Sequence, residues 1–202
     1  MSKATKFFTN LFFKLLLIVV VISFFAFGIK FLDNKYNFFT DNTKYDPLIK
    51  KISLKYNLDY NLVKAVIWRE SRFDPRSRGS KGEVGLMQIM PKSATRSSVV
   101  EDWERATGIK INSEGVLFYP NINVDIGAWY LSKAISHWPD YEDRFAIGLA
   151  EYNAGKRNVN KWIKGMKKDE RILNRIEFPS TRDYVKAIII KYNYYKTRES
   201  NE

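Results

Sequence analysis

Glu70 is the residue on which chemistry could turn. It falls four residues after Val66 and three after Ile67, so on a helix it continues the apolar stripe of Leu62, Val63, Val66 and Ile67. A carboxyl group there is desolvated and lies near the negative end of its helix. Both effects disfavour its charge, desolvation the more strongly. At the reference pKa of about 4.3, only some 0.2% of such groups carry a proton at pH 7. Raised to roughly 6–7, the group becomes a usable general acid. Cleavage of a glycosidic bond needs one, because an unprotonated alkoxide is a poor leaving group. The competing structural role is a Glu paired with Arg69 or Arg72 on a helix flank, but helix phase points Arg69 elsewhere.

Most glycosidases use a second carboxylate as nucleophile or base. Asp74 and Glu83 are nearest in sequence. Asp74 is explained by the turn before Pro75 and Glu83 by a solvated place in a Gly-rich loop. Two further blocks carry polar groups suited to a sugar. In Gly85-Leu86-Met87-Gln88-Ile89-Met90-Pro91, Gly85 permits close backbone approach, and Gln88 offers both a donor and an acceptor. In Tyr152-Asn153-Ala154-Gly155, Tyr152 brings a phenol, Asn153 can bind backbone or sugar, and Gly155 suits a helix end. Ser71 could hold Glu70 or a sugar through its hydroxyl. Tyr119, Tyr130 and Tyr152 are candidates to stack on sugar rings.

The elements that must position these groups read as helices. Asp46 can cap a helix with Pro47 at its first position, and Asp59 can cap the next, which Asp74-Pro75 should stop. A short helix can follow Pro91. Asn121 can cap a longer one running towards Trp138-Pro139, and Asp140 can open another with Phe145, Ala146, Leu149 and Ala150 on its inner face. Ser180-Thr181-Arg182-Asp183 resembles a capping box ahead of a final helix. The one plausible strand is Gly115 to Tyr119. A mainly α domain over residues 44–202 follows.

Ahead of it, Leu11 to Leu32 is apolar but for Lys14 and Lys30, which can snorkel outward, and is close to the roughly 20 residues that cross a bilayer. Lys3, Lys6 and Lys14 predict a cytoplasmic start and an extracytoplasmic body. Residues 1–32 are thus expected to form one N-terminal transmembrane helix, and 33–43 a tether. A signal peptide cleaved near Ala26-Phe27-Gly28 is the rival. Net charge is +12 over 202 residues, of which +9 lies beyond residue 42. Such a surface suits an anionic wall or lipid headgroups, and export argues against nucleic acid. The chain has no cysteine and a single histidine, His137. Disulfides and thiolate metal sites are excluded, a Ser-His triad is improbable, and neither metal nor organic cofactor is expected.

Three blocks in order, Glu70-Ser71-Arg72-Phe73 with Pro75 and Ser77, Gly85 to Pro91, and Ala150-Glu151-Tyr152-Asn153-Ala154-Gly155, resemble the lytic transglycosylase catalytic domain. Asn121-Ile122, Gly127 and Tyr130-Leu131 add to the match, which covers about residues 44–197. The resemblance implies a lysozyme-like, goose-type α-helical fold that acts on peptidoglycan glycan strands. It makes Glu70 the single catalytic acid/base and places Ser71, Gly85, Met87, Gln88, Met90, Tyr130, Tyr152 and Asn153 along the substrate. Cleavage between N-acetylmuramic acid and N-acetylglucosamine would then end in a 1,6-anhydro sugar. A hydrolytic muramidase using Glu83, and a non-catalytic wall-binding module, are the alternatives. One departure stands out: Ser180-Thr181 replaces the Glu-Thr pair frequent in the family, which bears on substrate preference.

Overall fold

The computed structural model describes residues 12–25, 27–28, 42–91 and 98–200. The chain divides into two units, Met1–Asp41 and Asn42–Glu202. In the first, residues 12–25 form helix α1, with Phe12, Leu17 and Phe24 exposed. Residues 27–28 are also helical. The remainder of the apolar stretch over 11–32, and the tether as far as Asp41, lie outside the described residues. Among the described residues no helix is long and apolar enough to cross a membrane.

The second unit is built from α2 (Asp46–Lys55), α3 (Tyr60–Ser71), α4 (Val99–Thr107), α5 (Pro120–Ser136), α6 (Arg144–Ala154), α7 (Lys156–Trp162) and α8 (Pro179–Glu199). Short 3-10 turns occupy Glu114–Phe118 and Ile172–Asn174. Among the described residues β pairing is confined to two isolated bridges, Arg78 with Val84 and Val84 with Ile89. Helix α3 is the centre of the arrangement. Asp59 starts it as expected, its carboxylate accepting the Asn61 N–H at 2.8 Å. Val63, Val66 and Ile67 are fully buried, and α3 packs on α8 while α5 and α8 both pack on α6.

Several helix starts differ from those read in the sequence. Asp46 lies inside α2, and its carboxylate meets buried Lys64 at 3.0 Å, tying α2 to α3. Helix α5 begins at Pro120, ahead of Asn121. Helix α6 begins at Arg144 instead of Asp140. The Asp143 carboxylate at its cap position is taken by Arg171 at 2.8 Å and the Ile172 N–H at 2.9 Å. Phe145, expected inside, is 45% exposed. Pro179 opens α8, so Ser180 is already helical and caps nothing. The expected strand at Gly115 to Tyr119 is a 3-10 turn. Residues 92–97 lie outside the described set, and the helix after them begins at Val99, closed by a Ser98–Glu101 capping box.

Candidate active site

Glu70 occupies the last turn of α3. The helix stops at Ser71, three residues before the expected Asp74-Pro75. Arg72 and Phe73 both take left-handed backbone (φ 54° and 65°), a rare state for residues with side chains. The Arg72 guanidinium turns back over Trp68, 3.7 Å from the ring centre, and donates to the Trp68 carbonyl at 2.6 Å. That clasp ends the helix and leaves Glu70 at its mouth. From α8, buried Tyr184 donates its hydroxyl to Glu70 Oε1 at 2.6 Å. Burial pushes the Glu70 pKa up to about 7. The Tyr184 hydrogen bond and the charge of Arg69 oppose that rise, and Glu83 adds to it. With Oε1 accepting from Tyr184, Oε2 is left to carry the acidic proton.

Ser77 to Pro91 forms a folded loop beside the acid. Gly85 takes φ +79°, and a Cβ there would collide with the side-chain amide of Asn123 and sit 2.8 Å from the Leu117 carbonyl. Its glycine is thus required by the loop's own packing. Asn123, fully buried on α5, accepts the Met87 N–H at 2.7 Å and donates to the carbonyls of Val84 (2.9 Å) and Leu117 (2.7 Å). One amide therefore fixes the whole turn. Gln88 is held at φ 48°, and its Nε2 donates to Gly85 O at 2.9 Å, leaving Oε1 as an acceptor. Met87 is buried against Gly127, while Met90 is 40% exposed. The Ser71 hydroxyl is buried between the carbonyls of Ile67 (3.2 Å) and Leu86 (2.8 Å), so it ties α3 to the loop.

Helix α6 supplies the facing wall. Tyr152 donates its hydroxyl to the Met87 carbonyl at 2.9 Å, and Tyr130 packs behind it with ring centres 5.2 Å apart. Burial, and then the charges of Glu151 and Asp102, push the Tyr130 phenol up to about 12. Asn153 accepts from Thr181 at 2.7 Å. The neighbouring acid, Glu151, is 2% exposed and faces the other way. It joins His137 Nδ1 and Trp138 Nε1, each at 2.8 Å, so the lone histidine is structural. Gly155 ends α6, as the sequence suggested.

Two cavities meet at Glu70 and Asn153. One, of about 280 Å³, is lined by Gly79, Ser80, Glu83, Gln88, Met90 and Tyr152. The other, of about 450 Å³, is walled by Arg69, Lys81, Asn158, Ser180, Thr181 and Tyr184. Of the residues read from sequence, Glu70, Gln88, Met90, Tyr152 and Asn153 line this cleft. Ser71, Gly85, Met87 and Tyr130 stand behind them and support it. Tyr119 is 63% exposed and lines neither cavity. A larger apolar groove of about 500 Å³ shares no residue with the cleft, so size alone does not single out the place where Glu70 lies. Tyr184 and Lys81 were not read from the sequence as site residues, Arg69 entered only as a possible ion-pair partner of Glu70, and Thr181 only within a capping motif.

The chemistry open to this cleft is proton donation from Glu70. If that donation limits the rate, kcat/KM falls as pH rises through about 7, approaching tenfold per unit. Tyr184→Phe removes a donor that favours the charged carboxylate, so the alkaline limb should move to higher pH. A pH–rate profile of both proteins checks the direction.

The family model of the Transglycosylase SLT domain matches residues 47–174. The soluble lytic murein transglycosylase of Escherichia coli strain K12 is 28% identical over 155 residues, covering 75% of this chain and 23% of that protein. The membrane-bound lytic murein transglycosylase C of Photorhabdus laumondii is 32% identical over 139 residues, covering 66% of this chain and 38% of its own length. The chain thus spans well under half of either relative. The crystal structure of the 70 kDa soluble lytic transglycosylase from Escherichia coli superposes with a TM-score of 0.67 at 26% identity, covering 78% of this chain and 25% of that one.

Proposed function

This chain belongs to the Transglycosylase SLT domain family, and on that premise we propose that it is a peptidoglycan lytic transglycosylase. The observation that carries the proposal is Glu70, a carboxyl group with a pKa near 7, held by Tyr184 where two cavities meet. Glu70 Oε2 gives its proton to the glycosidic oxygen between N-acetylmuramic acid and N-acetylglucosamine, and the C1–O bond breaks. The substrate's own acetamido oxygen stabilises the cationic C1, as in substrate-assisted glycosidases. The Glu70 carboxylate then takes the proton of the C6 hydroxyl, and O6 bonds to C1. The product is a 1,6-anhydro ring, and the acid is restored without water. Gln88 Oε1 and the exposed face of Met90 line the sugar path, and Asn153 presents its amide beside the acid.

Mass spectrometry of fragments released from purified cell wall tests this. Anhydro-ended muropeptides are expected, and reducing ends alone would exclude the cyclising step. Glu83 gives the hydrolytic alternative a specific footing, because it lines the same cavity as Glu70. Under the proposed mechanism Glu83→Gln keeps activity within about threefold, since no proton passes through it. A loss on the general-acid scale of about 10²-fold or more would instead make Glu83 a participant.

The apolar stretch over 11–32, with lysines before it, further supports a membrane anchor that holds the catalytic domain on the extracytoplasmic side. The name of the membrane-bound relative is in keeping with an anchor.

A further inference from the structure

We propose, resting on the glycan-cleaving function above, that the cavity walled by Arg69 and Lys81 is a subsite for a carboxylate on the muramyl side of the substrate. The chain would then prefer acidic wall fragments to amidated ones.

The charges lining this cavity are unequal. Arg69 and Lys81 are its cations, and Glu70 is the single acid among its lining residues. Neither cation makes an ion pair among the described residues. The contact of Arg69 is the face of Tyr184, whose ring centre lies 5.4 Å away. In its reactive form Glu70 is neutral, so the cavity then holds two positive charges and no negative one. The first turn of α8 faces the same space without a side-chain cap. Its partial positive charge adds to the two cations without constituting a site by itself. Ser180 stands in that turn, exposed and neutral. An acid at this position would supply the missing counter-charge from within the protein. With serine there, the counter-charge has to come from the ligand.

Muramic acid offers one. Its lactyl group ends in a carboxylate when no peptide is attached, and an attached stem peptide carries free carboxylates of its own. A guanidinium recognises either by paired hydrogen bonds. The opposite cavity contains Glu83, so the cleft changes sign along its length and favours one orientation of an acidic strand. Binding at Arg69 also serves the chemistry. Arg69 otherwise favours ionised Glu70, and a bound carboxylate offsets its field.

The test uses the whole chain carrying Glu70→Gln, which is expected to bind without turnover. Calorimetry compares disaccharide-peptide fragments bearing free carboxylates with the same fragments amidated. A parallel pair uses stem-free glycan with free or amidated lactyl groups. The acidic fragments are expected to bind about tenfold tighter, the scale of two partly screened charges. A preference in the stem-free pair assigns the lactyl group, and one confined to the peptide-bearing pair assigns the stem. Adding Arg69→Gln or Lys81→Gln should bring the ratio towards one. Adding Ser180→Glu should do so with both cations retained, at a first-turn position where an acid favours the helix. Equal affinity for acidic and amidated fragments in both pairs overturns the subsite. A clear acidic preference in protein whose parent releases no glycan fragments keeps the subsite and removes the lytic function instead.

Discussion

Glu70→Gln is expected to lower the rate of wall cleavage by at least about 10²-fold, the usual scale of general acid catalysis. The amide keeps the size of the side chain and still accepts the Tyr184 hydroxyl, which lies 2.6 Å from Oε1. It cannot deliver a proton to an alkoxide. Wall binding should survive, which separates loss of chemistry from loss of fold. Stability should move the other way. Glu70 has a folded pKa near 7 against an ordinary 4.5. Its contribution is fully present below pH 4.5 and is lost as pH rises through 7, about 3 kcal/mol in all. Glutamine has no charge to desolvate. The variant should therefore melt above the parent at pH 8 and near it at pH 4. Full activity in Glu70→Gln would remove the assignment. An unchanged melting temperature at pH 8 would show that the carboxylate is better solvated than its surroundings imply.

Asn123→Ala should produce the largest loss of stability from a single side chain outside the apolar core. Its amide satisfies the Met87 N–H and the carbonyls of Val84 and Leu117, all within the buried support of the Gly85–Pro91 loop. Alanine leaves those groups without partners and a hole where the amide was. Each unsatisfied buried group costs roughly 1–3 kcal/mol, and entry of water into the hole recovers part. A net loss of about 3 kcal/mol is expected in urea or thermal unfolding. Catalysis should weaken too, because Gln88 and the Met87 carbonyl that anchors Tyr152 both depend on the loop. A variant within about 0.5 kcal/mol of the parent, the range typical of surface changes, would show that the loop holds itself.

The sequence made the acid legible because one stripe carried both its neighbours and the carboxylate. Val66, Ile67 and Glu70 share a face, and Asp59 marks where that helix begins. Local signals failed where distant contacts decide. The end of α3 is set by Arg72 folding onto Trp68, a left-handed turn that no propensity predicts, so the proline three residues later looked like the stop. Ser180 looked like a cap because its neighbours suit one, but Pro179 already starts the helix. Asn121 drew attention as a cap when the amide that matters is Asn123, two residues on and wholly inside. Gly85 and Met87 lie in the block that carries the family resemblance, yet they pack the scaffold while Gln88 and Met90 face the cleft. A motif records which residues are needed together. Which of them touch the ligand depends on which way each points.

Asn123 and Glu151 act as reversible rivets. Each reaches partners that are well separated in the chain, and each is closed by hydrogen bonds where many secreted proteins use sulfur. With no thiol in the sequence, no mispaired bridge can form and no oxidase is required. An unfolded chain of this kind can regain its shape without any redox chemistry. Refolding from urea should give the same yield with or without dithiothreitol.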